Sequence, residues 1–84
     1  MKGASFIDNK VWYNKNYVMP NKRIKLSKKD EPNLLSYIAD EPEINLFISG
    51  DVYTYGLDGE IVTVWAYLDE DGSWTGVLLR YMLS

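Results

Sequence analysis

An α+β fold is what this sequence predicts: a four-stranded antiparallel meander over about 44–83, one short helix over about 31–40 and an N-terminal β ribbon over about 10–27, closing into a small sandwich or SH3-like barrel. Three observations predict it. Apolar and polar residues alternate through much of the chain beyond Ile44. Asp58-Gly59 sits between two such runs and is the strongest hairpin signal in the chain, suited to a type I′ turn. A single helical pattern, opened by Asp30 and Pro32, precedes them. At 84 residues the chain is the length of one domain, 1–84, with a small core.

The ribbon comes first. The stretch from Val11 to Met19 and the stretch from Lys22 to Leu26 read as two short strands around a Pro20-Asn21 turn. In the helix, Asp30 is the N-cap and Pro32 lies in the first turn, where its missing N–H costs little. Leu34, Leu35 and Ile38 then make one apolar face, and Pro42 ends it. Ser27 and Asp30 offer an alternative capping box that would start the helix earlier. Strands are expected at 44–48, 52–57, 60–68 and 74–83, with turns at Ser49-Gly50-Asp51, Asp58-Gly59 and 69–73.

Two-residue loops at Asp58-Gly59 and Asp71-Gly72 set the register. Directly opposed residues share a face. One face then carries Tyr53, Tyr55, Val62, Val64, Ala66, Leu68, Val77, Leu79 and Tyr81, and is the core face. The other carries Val52, Thr54, Ile61, Thr63, Trp65, Tyr67, Gly76, Leu78, Arg80 and Met82. A solvated face should be mostly polar, and this one is not. Either the ribbon covers it, with Trp12, Tyr13, Tyr17 and Val18 as the lid, or it meets a partner or a second copy of the chain.

Composition excludes much chemistry. There is no cysteine and no histidine, so no disulfide, no thiolate and no imidazole base or metal ligand. No serine nucleophile motif or phosphate-binding loop occurs. Asp69-Glu70-Asp71 faintly resembles part of a calcium loop, but the final bidentate Glu is missing. No catalytic residue, cofactor or metal is expected. No apolar run reaches the ~20 residues of a membrane helix, and the start of the chain does not read as a secretory signal, so a cytoplasmic protein is expected.

Charge is segregated. Residues 1–29 hold eight bases against Asp8 alone, and residues 30–84 hold eleven acids against Arg80 alone, giving the net −3. Such polarity means internal pairing or two surfaces offered to partners. The first functional expectation is a binding protein acting at a partner protein through Trp65, Tyr67, Leu78, Arg80 and Met82, with Asp69, Glu70 and Asp71 steering encounter. Its size and composition are like those of phage and mobile-element accessory proteins that inhibit host machinery, for which acidic mimicry of a nucleic-acid strand is one route. The second expectation is nucleic-acid binding through Lys22, Arg23, Lys25, Lys28 and Lys29 with Trp12, Tyr13 and Tyr17, which combine cations with stacking platforms. A third is a homodimer joining basic ribbon to acidic end.

Overall fold

A computed structural model of the chain describes residues 3–15 and 20–82. Its order is β1 (Gly3–Ile7), β2 (Lys10–Asn14), β3 (Lys22–Lys25), a 3-10 turn (Lys28–Asp30), α1 (Glu31–Ile38), α2 (Pro42–Tyr55), β4 (Val62–Leu68) and β5 (Trp74–Tyr81). The strands form one antiparallel sheet in the order β1-β2-β5-β4-β3. Both helices contribute to a core on one side of it.

The α+β class and the antiparallel sheet are as expected, but the sheet has five strands and two helices accompany it. The largest departure lies at 44–57, where α2 replaces two expected strands. Pro42 ends the first helical pattern and also opens α2, where a residue without an N–H costs nothing. Ile44, Ile48 and Val52 then recur every four residues and are buried. The alternation of Ile44, Leu46 and Ile48 is half of this helical stripe, and Leu46 stays exposed. Ser49-Gly50-Asp51 lies inside the helix; the Ser49 hydroxyl donates to the Asn45 carbonyl, and Thr54 Oγ1 donates to the Gly50 carbonyl at 2.8 Å. Gly56, at φ 78°, ends α2 in the left-handed region that glycine tolerates. Asp58-Gly59 is therefore no hairpin. Asp58 Oδ1 accepts the Lys28 N–H at 3.2 Å, tying the loop after α2 to the turn before α1.

α1 is close to its expected span. Its entry follows the earlier-starting alternative: the Asp30 carboxylate accepts the Ser27 N–H at 2.9 Å, and the Lys28–Asp30 turn precedes the helix. Leu34 and Ile38 are fully buried.

The ribbon is not a hairpin either. β2 and β3 do not pair; β5 and β4 lie between them. β2 instead pairs with β1 around Asp8-Asn9, a two-residue turn with Asp8 at φ 54°. β3 pairs with β4 at the far edge. Because β2 enters the sheet beside β5, it extends the sheet and does not cap it, so neither sandwich nor barrel closes.

The β4–β5 register is the expected one, with Val64 opposite Leu79 and Ala66 opposite Val77. It shifts at Leu68, which lies opposite Trp74. Val62, Val64, Ala66, Leu68, Val77 and Leu79 join Val11, Tyr13, Leu34, Ile38, Ile44, Ile48 and Val52 in the core. Tyr53 and Tyr55, expected on that sheet face, belong to α2, and Tyr53 is 93% exposed. No helix among the described residues is long and apolar enough to cross a membrane.

Candidate functional site

Strand alternation sends every second residue to the side away from the helices. Register identifies them. Ser5, Trp12, Leu78 and Trp65 line up across β1, β2, β5 and β4, with Lys25 beyond on β3. Lys10, Arg80 and Thr63 form the row on one side, and Gly76, Tyr67 and Arg23 the row on the other. Among the described residues no helix or strand covers this face.

The two residue sets singled out from sequence thus meet on one surface. Trp65, Tyr67, Leu78 and Arg80 share it with Trp12, Arg23 and Lys25. Others lie elsewhere. Tyr13 alternates to the helix side and is 1% exposed. Lys22 alternates to the same side and is exposed. Lys28 and Lys29 lie on the 3-10 turn before α1. Met82 follows β5 and is half exposed, its sulfur accepting from Asn9 Nδ2 at 3.1 Å. Asp69, Glu70 and Asp71 occupy the β4–β5 turn, where Asp69 Oδ1 accepts the N–H groups of Asp71 and Ser73, each at 2.9 Å. Tyr17 lies outside the described residues.

Side-chain packing on the face is specific. The Arg23 and Arg80 guanidiniums each sit 5.1 Å from the Trp65 ring centroid. Arg23 pairs with Tyr67 and Arg80 with Thr63, the positions on either side of Trp65 along β4, so the two cations bracket the indole. Arg23 Nη1 also donates to the Tyr67 hydroxyl at 3.4 Å, and Trp12 meets Tyr67 edge-to-face at 5.2 Å. Trp12 Nε1 donates to Asn14 Oδ1 at 3.1 Å. The Trp12 ring lies against Gly76 so closely that a Cβ there would overlap it. Glycine at this position lets the indole lie down on the sheet.

Electrostatics follow the same division. The five strands contain no Asp or Glu; all twelve acids lie in turns, loops and helices. On the open face Lys10, Arg23, Lys25 and Arg80 are cations, and none forms an ion pair among the described residues. Arg80 Nε is enclosed without an acceptor among the described residues. Lys15 and Asp40 pair across the two charge poles at 3.3 Å, with both side chains partly exposed, a geometry worth little. Internal neutralisation therefore leaves the face positive.

Sequence reasoning missed β1 and the inclusion of β2 in the sheet. The signal was present: Asp8-Asn9 between Ser5-Phe6-Ile7 and Lys10-Val11-Trp12 has the form of a two-residue hairpin. No group of three or more possible metal ligands occurs among the described residues. The chain matches no protein-family model, no curated protein and no solved structure.

Proposed function

We propose that this protein is a non-enzymatic binding module whose open sheet face takes single-stranded nucleic acid. The carrying observation is the convergence of Trp12, Trp65 and Tyr67 with Lys10, Arg23, Lys25 and Arg80 on one face free of acids. Bases stack on aromatic rings and on guanidinium planes, while cations track phosphates. A duplex hides its base faces and gains only the second of these. The acids of α1 and α2 lie on the opposite side of the sheet, and repulsion between exposed charges is largely screened beyond about 8–10 Å at physiological salt.

A protein partner is the second reading. Trp, Tyr and Arg around Leu78 are the residue types that dominate interface energies. Under this reading the module occupies a partner's acidic surface, as an inhibitor of host machinery would.

Binding of an oligothymidylate, a blunt duplex and a polyglutamate peptide, each across a salt series, separates these. Single-strand binding should be tightest. With four phosphate contacts, log K should fall against log salt with a slope of about −3. Trp65→Ala should weaken single-strand binding by about 1–3 kcal/mol, with its urea midpoint near that of the parent protein. Preference for polyglutamate would favour the protein reading. Absence of binding to all three at low salt would remove the nucleic-acid function.

A further inference from the structure

The second feature lies on the other side of the sheet and is independent of the first. A groove of about 390 Å³ runs between α2 and the β1–β2 hairpin. Phe6 and Phe47 form one wall, their ring centroids 5.0 Å apart. Val11 and Leu79 from the core face make the floor. Tyr55 and Tyr81 close the far side, their hydroxyls 3.1 Å apart and their rings at 66°. Asp51, one helical turn before Tyr55, contributes a carboxylate.

That carboxylate is unusual for a surface acid. Among the described residues it has no ion pair and no hydrogen-bond donor. Burial pushes its carboxyl up from the ordinary value, the sign of an anion short of solvation. The remaining charged groups at the groove are Asp8 and Lys10. Lys10 alternates towards the open face, whereas Val11 turns inward. The groove therefore presents a net negative charge among aromatic rings.

We infer that this groove is a site for a small organic cation, an aryl- or alkyl-bearing amidinium, guanidinium or ammonium. Its charged head sits against Asp51 and its apolar body lies between the Phe6–Phe47 pair and Tyr81. The chemistry follows from the parts. A carboxylate gives a charge-assisted hydrogen bond to an N–H cation. Ring faces attract cations and also bury an apolar body. The paired tyrosine hydroxyls offer further acceptors. The volume suits a small molecule and is in the range of formed ligand sites.

The probe is benzamidinium, with neutral benzamide and anionic benzoate as isosteric controls. Binding is followed by amide and side-chain chemical shifts in the full chain. Benzamidinium should perturb Phe6, Phe47, Asp51 and Tyr81, with an affinity about tenfold above that of benzamide. Benzoate should leave the groove unperturbed. Asp51→Asn should reduce the cation-to-neutral preference to about one, while the variant melts no lower than the parent protein. Phe47→Leu, which keeps an apolar wall, should weaken benzamidinium and spare Asp51's role. Equal affinity for benzamidinium and benzamide would overturn the site. So would an unchanged preference in Asp51→Asn, or shifts confined to the open basic face. Loss of oligonucleotide binding has no bearing on these outcomes.

Discussion

Tyr13 shows how one residue's position overrides its chemistry. Its ring is in the core, edge-on to Tyr37 at 5.9 Å, and its hydroxyl is enclosed with no hydrogen-bond partner among the described residues. A buried unsatisfied hydroxyl costs free energy that a hydrocarbon of the same shape does not. Tyr13→Phe should therefore leave stability unchanged or raise it by up to about 1 kcal/mol, read as a higher urea midpoint. Gly76 is the counterpart on the open face. Gly76→Ala should lift Trp12 off the sheet, change the tryptophan fluorescence and weaken the binding proposed for that face, since the added Cβ overlaps the indole. Neither effect is visible in residue type: tyrosine beside basic residues reads as a stacking platform, and a strand glycine reads as a weak point.

At the scale of elements, α2 carries the main lesson. Its inward stripe is Ile44-Ile48-Val52, while Leu46 and Tyr53 face outward and Phe47 flanks the stripe against Phe6, so apolar residues lie close enough together to imitate strand alternation. Ser49-Gly50-Asp51 strengthens the imitation, because this triplet is typical turn chemistry. The helix survives its glycine through tertiary burial of the inner stripe. Gly50 has open space where a Cβ would stand. Gly50→Ala should stabilise the protein by about 0.5–1 kcal/mol by helix propensity and reduced unfolded-state freedom, measured as a shift in denaturation midpoint. β4 and β5 were legible to the level of register, because alternation and a nearby turn agree.

For the whole molecule, charge and topology are one arrangement. Cations on β2, β3 and β5 converge on the open face, and the acids are displaced to turns and helices. Binding there should be strongest at low salt although the chain is net negative, because the relevant field is local. One buried and one half-buried phenol contribute to the alkaline limit. Burial raises Tyr13, with Asp40 and Glu41 adding to it, and burial raises Tyr37 against an opposing hydrogen bond from the Lys15 N–H. A folded value above the unfolded value of 10.0 means that the unfolded chain loses these protons first. The associated stability is complete below pH 10 and is lost as pH rises through the folded values. Urea midpoints at about pH 8 and about pH 10.5 should differ, and Tyr13→Phe should narrow that difference.

Local patterning along the chain already specifies the α+β class, the antiparallel β4–β5 pair with its two unlike faces, the position of α1 and the separation of charge along the chain. These depend on local periodicity and turn chemistry, which a single segment carries. Long-range packing alone establishes that 42–55 is a helix, that β2 and β3 lie on either side of the β5–β4 pair without pairing with each other, and that Arg23 and Arg80 bracket Trp65. Those outcomes depend on which long-range partners bury an ambiguous segment, and strand order places Arg23 and Arg80 on one surface although 57 positions separate them in the chain.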